Sequence, residues 1–230
     1  LWAVNNKIPV FKQSDYEGFF GNVKDIRIDE TRPSLVTIGD NVMIVAPFCI
    51  LTHGYEWFVF KNKYKKMLGS SGKVNIGNNI YFGRGVTITK GVTIGDNVVV
   101  GASSLVNKSL PSDRVYAGIP CKKIYELDDF FKIRESKQLE EAKEYAISIK
   151  ERFNRQPRPE DFREFFYLFL SRKDSSIKEF NYNIRKKLLM EKKQVITVES
   201  QLGEAYESFL KSKPIFSSFD EFLEYCGLKE

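Results

Sequence analysis

Between Val36 and Val106 the chain returns to an aliphatic or aromatic residue every sixth position: Ile38, Ile44, Ile50, then Ile76, Phe82, Ile88, Ile94, Val100 and Val106. Four residues after many of these stands a second, usually β-branched one: Val42, Ile80, Val86, Val92 and Val98. "IGDN", "IGNN" and "IGDN" again punctuate the run with Gly, Asn and Asp, which tolerate the backbone conformations of tight corners. So short a period points to a parallel β-solenoid. One hexapeptide makes one flat side, and three sides make one triangular coil. The repeated apolar side chains point inward and stack on their copies in the next coil. No coil can bury its own inner face, so coils must stack. Residues 38–55 make one coil and 76–111 two more, with a degenerate turn around Val23–Ile28 adding part of a fourth. Two long phase-locked runs disfavour an ordinary sandwich of strands.

The two runs are out of phase, because the spacing from Ile50 to Ile76 is not a multiple of six. The segment "YEWFVFKNKYKKMLGSSGK", 55–73, must therefore loop out, and loops on rigid scaffolds are where function concentrates. At its root stands His53, the only histidine of the chain. After Lys123 the pattern changes. "LDDFFKIRESKQLEEAKEYAISIKERF" predicts a long helix from about Asp128. "PRPEDFREFFYLFL" places Pro159 at a helix start with a stripe of Phe162, Phe165, Phe166 and Phe169, a helix core rather than a membrane contact. "SSFDEFLEYC" opens with a capping box from Ser218 to Glu221. The expected organisation is a β-solenoid domain over 1–124, carrying the insertion 55–73, and a helical accessory domain over 125–230.

Charge and composition narrow the classes. The net charge is +6, and residues 1–124 hold 16 Lys+Arg against 9 Asp+Glu, while the rest hold 20 against 21. The excess positive charge in the first half suits an anionic ligand. Without a stripe of interleaved arginines and aromatics, nucleic acid is not expected. Cys49, Cys121 and Cys226 are an odd set without metal-ligand spacing, which favours a reduced, cytoplasmic protein. No apolar run is long enough for a membrane span, no signal peptide is recognised, and any membrane contact is expected to be peripheral.

"TIGDNVMIVAPFCILTHGYE", "VNIGNNIYFGRGVTITKGVTIGDNVVVGASSLVNKSLPSD" and "VYAGIPCKKI" follow one another in an order that resembles the hexapeptide-repeat acyltransferases. The likeness is to the galactoside, maltose and polysaccharide O-acetyltransferase branch, over about residues 36–124. It implies a left-handed parallel β-helix, a mainly β fold here with a C-terminal α-helical appendage. It implies a homotrimer with active sites between subunits, acetyl-CoA as acyl donor lying along the coils, no metal, and a histidine base. His53 falls on that histidine, followed by Gly54 where the galactoside-type enzymes have Pro. Tyr81 falls where they carry an aromatic residue lining the site, or is an ordinary exposed strand tyrosine, and Asn22 falls at a spacing similar to that of an acceptor-binding asparagine, although a turn residue is the favoured reading there.

Acetyl transfer needs an attacking oxygen or nitrogen relieved of its proton. A neutral imidazole is suited to this near neutral pH. A second group should orient His53, and Glu56 is the nearest carboxylate in sequence. Tyr55 and Trp57 could stack on a sugar ring or pack the loop. On the donor side, Gly83, Gly101, Ala102 and Ser103 are small enough for a pantetheine chain to approach the backbone, and Arg84 stands beside them. The turn Ala117, Gly118, Ile119 and Pro120 resembles the element that meets the adenine. Lys108, Lys122 and Lys123 are candidate phosphate contacts. The loop lysines Lys61, Lys63, Lys65 and Lys66 either attract an anionic acceptor or are solvated. Cys121, without a base, is expected to be inert.

The reading favoured by these residues is O-acetylation of a saccharide in capsule, O-antigen or exopolysaccharide synthesis, by direct transfer. N-acetylation of an amino sugar or nucleotide sugar on the same scaffold is a close alternative, and a non-enzymatic binding or assembly solenoid a more distant one. The zinc-dependent type of solenoid enzyme needs three histidines, and each chain offers one.

Overall fold

The computed structural model describes residues 25–190 and 196–229. Two compact units divide between Lys132 and Ile133. The first is a parallel β-helix. Each full coil contributes one strand to each of three sheets: β2 (Val36–Ile38), β3 (Val42–Ile44) and β4 (Phe48–Ile50), then β5 (Val74–Ile76), β6 (Ile80–Phe82) and β7 (Val86–Ile88), then β8 (Thr93–Ile94), β9 (Val98–Val100) and β10 (Leu105–Val106). Sheet I is β2-β5-β8. Sheet II continues from β3, β6 and β9 into β11 (Arg114–Ala117) and β12 (Lys122–Glu126). Sheet III starts at β1 (Ile26–Ile28) and runs through β4, β7 and β10. Of the degenerate turn expected at Val23–Ile28, Val23 and Lys24 lie outside the described residues, and Ile26–Ile28 form β1, which stacks in register on β4, Ile28 opposite Ile50.

Stacking is strictly in register. Ile38 lies over Ile76 and Ile76 over Ile94; Ile44 over Phe82 and Phe82 over Val100; Ile50 over Ile88 and Ile88 over Val106. These inward side chains are buried and form one continuous core. The chain travels much further from Ile44 to its partner Phe82 than from Phe82 to Val100. The surplus is inserted at the corner between β4 and β5. It holds the helix α1 (Trp57–Tyr64), where the break in the repeat predicts only a loop.

The corner between sheets I and II shows why Asn recurs. Asn41, Asn79, Asn97 and Asp113 all have φ between 54° and 59°, the left-handed region that Asn and Asp enter more readily than other residues with a Cβ. Their side chains form a ladder: Asn41 Nδ2 donates to Asn79 Oδ1 at 3.1 Å, Asn79 to Asn97 at 3.1 Å, and Asn97 to Asp113 Oδ1 at 2.9 Å. At the corner between sheets II and III the coils approach so closely that a Cβ on Gly83 would lie 2.6 Å from the backbone nitrogen of Ala102.

β12 pairs antiparallel with β11 and closes the ladder of sheet II. The boundary expected after residue 124 falls inside this strand. The long helix predicted from Asp128 is α2 (Leu127–Phe153), within which the two units divide. Helices α3 (Asp174–Met190), α4 (Val198–Leu202), α5 (Tyr206–Lys211) and α6 (Phe219–Tyr225) follow.

In the second unit Ala142, Ala146 and Ile149 of α2 share a buried cluster with Phe162, Phe166, Phe169 and Phe222. The phenylalanine stretch is not the α-helix that its spacing predicts. It forms two short 3-10 turns, Pro159–Asp161 and Phe166–Leu168. Aromatic residues are weak helix formers, and here burial in the core sets the backbone. Buried Asp161 anchors the first turn, accepting from both guanidinium nitrogens of Arg155 (2.8 and 2.9 Å), from Lys187 (2.8 Å) and from the Arg158 amide (2.9 Å). Burial pushes its carboxyl up, but these donors outweigh it and hold the pKa at about 2. The cap expected before α6 is present, Ser218 Oγ accepting from the Glu221 amide at 3.1 Å, while the Glu221 carboxylate turns to Ser217.

Asn79→Ala removes the middle of the corner ladder and leaves alanine at a φ of 55°. We expect a loss of about 1–3 kcal/mol in urea unfolding at unchanged slope. An unchanged midpoint would mean that the ladder contributes nothing to coil stacking.

Candidate active site

The corner between sheets III and I builds the site. Because β1 lies in register against β4, the residue after Ile28 falls beside the chain that leaves Ile50. That residue is Asp29. Its Oδ2 lies 2.5 Å from His53 Nδ1 and accepts from Thr52 Oγ1 (2.5 Å) and the Thr52 amide (3.2 Å). Its Oδ1 accepts from Thr31 Oγ1 (2.7 Å) and the Thr31 amide (3.1 Å). The Asp29 side chain is 5% exposed and that of His53 13%. Burial pushes the Asp29 carboxyl up, but the hydrogen bonds from Thr52, Thr31 and His53 outweigh it and hold it well below the usual aspartate range. An ionised carboxylate only accepts, so Nδ1–H of His53 donates to it, and in the neutral ring the lone pair is then on Nε2.

Glu56 does not take this place. Its Oε1 is 2.5 Å from Lys90 Nζ, and hydrogen bonds from Lys90 and then Ser70 hold its pKa at about 2. Lys90 also donates to Ser70 Oγ. Glu56 is the carboxylate nearest to His53 in number, but the fold supplies one from the preceding turn of the solenoid. The signal that could have found Asp29 is the register of β1, which lies outside the clean hexapeptide run.

The base of the insertion is pinched shut. The Gly72 amide donates to Thr52 O at 2.9 Å, His53 bridges Ser71, and the Gly54 amide donates to Ser70 O at 3.3 Å. The Tyr55 ring stands edge-on to His53 with centroids 5.1 Å apart, and Trp57 follows at 6.0 Å from Tyr55. Tyr55, Trp57 and His53 are thus brought together. Asn22 lies outside the described residues.

The expected donor residues gather at a different corner, between sheets II and III. Gly83 and Arg84, then Gly101, Ala102 and Ser103, then Ala117 and Gly118 form one column. The Ser103 amide donates to Arg84 O at 2.7 Å, and the Gly101 amide to Tyr116 O at 2.8 Å. Buried Ser104 fixes the turn at its end, accepting from the Gly118 amide at 3.1 Å and donating to Gly101 O at 2.7 Å. Ile119 and Pro120 continue it, exposed to solvent. Tyr81 points outward on sheet II beside Met43 and Val99. Lys108 is not in the column, since it follows β10 at the His53 corner. Lys122 and Lys123 lie on exposed β12, where Lys123 is engaged by Glu126 at 2.5 Å. Cys121 packs against the solenoid core, and burial pushes its thiol up. Among the described residues no group of three or more His, Cys, Asp or Glu could hold a metal ion.

No protein-family profile matches the chain. Among curated proteins, the galactoside O-acetyltransferase of Escherichia coli (strain K12) is 44% identical over 94 residues, which are 41% of this chain and 45% of that protein. Over this stretch the β-helix is similar in sequence to a hexapeptide-repeat acetyltransferase. The chain spans less than half the length of this curated relative. Among solved structures, a galactoside acetyltransferase in complex with coenzyme A is 45% identical, with 42% of this chain and 48% of that one covered and a TM-score of 0.36. A hexapeptide-repeat acetyltransferase from Vibrio cholerae O1 biovar eltor, complexed with acetyl coenzyme A, is 27% identical, with 44% and 52% covered and a TM-score of 0.37.

The pH dependence of stability tests the Asp29 cluster. A depressed folded pKa stabilises above the unfolded value and loses that contribution as the pH falls through the folded one. The stability difference between the native chain and Asp29→Asn should therefore be full above about pH 4 and shrink below it. Thermal midpoints measured from neutral pH downward read this difference. A gap that stays constant with pH would show that Asp29 is not ionised in the fold.

Proposed function

We propose that this protein transfers an acetyl group from acetyl-CoA to a hydroxyl of a saccharide, with His53 as general base. The observation that carries the reading is the Asp29–His53 pair, which leaves Nε2 of a partly buried imidazole as the basic atom. The similarity to a galactoside O-acetyltransferase supports the reaction class and a saccharide acceptor. Nε2 takes the acceptor proton as the oxygen bonds to the thioester carbonyl carbon, and returns a proton to the departing thiolate. Asp29 fixes the tautomer and stabilises the imidazolium that forms between the two transfers. Tyr55 stands against His53 and Trp57 against Tyr55, and the two rings offer apolar faces to a sugar ring. The odd set of three cysteines without metal-ligand spacing favours a reducing, cytoplasmic setting.

His53 and the glycine column occupy different corners of one β-helix. A complete site therefore takes His53 from one chain and the column from a second, which supports a homotrimer with sites between subunits. In that arrangement the small residues at Gly83, Gly101 and Ala102 let the donor approach backbone amides.

Release of free thiol from acetyl-CoA, screened against saccharide hydroxyls and amino sugars, tests the reaction. His53→Ala should lower turnover by at least about 100-fold, and Asp29→Asn by about 10-fold or more, with calorimetric binding of acetyl-CoA retained in both. An active His53→Ala protein would overturn the mechanism. Turnover with amines alone would turn the reading to N-acetylation. The shared site has its own test. His53→Ala and Ala102→Trp chains, each inactive alone, should recover activity when co-assembled, because some sites then draw both intact corners. No recovery in any mixture would sink the between-subunit arrangement.

A further inference from the structure

The insertion carries a feature that acetyl transfer does not use. None of the side chains of α1 is buried, and across the insertion Phe58, Val59, Tyr64, Met67 and Leu68 are each between 55% and 69% exposed. Residues 57–73 also carry five lysines, Lys61, Lys63, Lys65, Lys66 and Lys73, and no Asp or Glu. This segment alone accounts for +5 of a net charge of +6. Apolar side chains this exposed are retained at a cost in solubility and mark a surface that something covers. The lysines lie among the rings: Lys61 Nζ is 5.1 Å from the Trp57 ring centroid and 4.8 Å from that of Phe58, and Lys63 is 5.1 Å from Tyr64.

We propose that this segment docks on the surface of an anionic lipid bilayer, its aromatic and aliphatic side chains entering the headgroup boundary and its lysines meeting the lipid charges. Two observations choose this occupant. The rest of the chain, with 31 basic and 30 acidic residues, carries only +1, so a second copy offers no matching excess of negative charge. A soluble polyanion would satisfy the lysines but leave Phe58, Val59, Met67 and Leu68 in water, whereas a bilayer interface satisfies both sets. Interspersed aromatics and lysines are also the residues enriched where chains meet membrane–water boundaries. The root is held firm by the Gly54–Ser70, Thr52–Gly72 and Glu56–Lys90 contacts, so the docked segment and His53 would sit at one corner of the β-helix. This inference does not rest on the transferase reading, because lipid binding is measured without substrate.

Flotation of the full chain with vesicles tests it. Vesicles of phosphatidylcholine containing about 30% phosphatidylglycerol should carry the protein, and pure phosphatidylcholine vesicles should not. Raising the salt from about 0.1 M to about 0.5 M should weaken binding several-fold. Two independent variants, Lys61→Glu with Lys63→Glu and Lys65→Glu, and Phe58→Ser with Val59→Ser, should each lower binding by at least about tenfold. All substituted side chains are exposed or lie on the exposed helix, and circular dichroism verifies that both variants fold. Absence of binding to the anionic vesicles, or binding that both variants retain, overturns the proposal. A fall in molar mass of the Phe58→Ser, Val59→Ser protein in sedimentation would overturn it as well, by assigning the patch to contact between copies.

Discussion

Register between parallel coils is the constraint on which everything else in the first unit depends. Each inward side chain rests on its counterpart one coil away, and the backbone amides of one coil reach the carbonyls of the next. The stack cannot slip by one residue without turning its apolar face to water. Because β1 obeys the same rule against β4, Ile28 is fixed opposite Ile50, and Asp29 is delivered to Thr52 and His53. The geometry at His53 is therefore a consequence of strand stacking. No single local motif builds it, and the base of the insertion adds the bridge from His53 to Ser71.

That dependence explains which parts were legible in the sequence. Positions such as Ile76, Ile88 and Ile94 repeat because each meets the same environment, so their spacing alone gives the coil. The insertion was legible as a break in phase. Asp29 was not, because a carboxylate just beyond a three-residue strand carries no periodic signature and its partners Thr31 and Thr52 are ordinary residues. Glu56 drew attention through nearness in number, yet proximity along a chain says little where partners are set by stacking. Helix α1 escaped notice because its apolar residues surround the axis instead of forming one face, and the Phe162–Phe169 stretch misled for the opposite reason. Its spacing is helical, but buried rings packed against one another from several directions decide its backbone.

The two carboxylates near His53 also show how environment separates roles. Both are held ionised, by different means. Asp29 is nearly excluded from water and surrounded by hydroxyl and amide donors, so its charge is screened little and acts on one neighbour, the imidazole. Glu56 faces solvent and spends its charge on Lys90. A surface pair of this kind contributes little to stability. Its effect is geometric, since Lys90 belongs to the corner of the second coil while Glu56 and Ser70 flank the insertion. The pair ties the two ends of the inserted segment to the scaffold.

The three corners of the β-helix are thus chemically distinct although the sides between them are nearly alike. One is closed by the Asn ladder, whose hydrogen-bonding groups are turned on each other along the stack and serve folding. A second is stripped of side chains at Gly83 and Gly101, where close approach of the coils leaves backbone and small residues as the outer surface. The third interrupts the repeat with the helical insertion and holds the one imidazole. A solenoid can vary its corners this freely because the inward positions carry the apolar core of the stack. It follows that a relative need match only the repeat to share the fold, and that what distinguishes this chain must be sought at the third corner and in the helical unit.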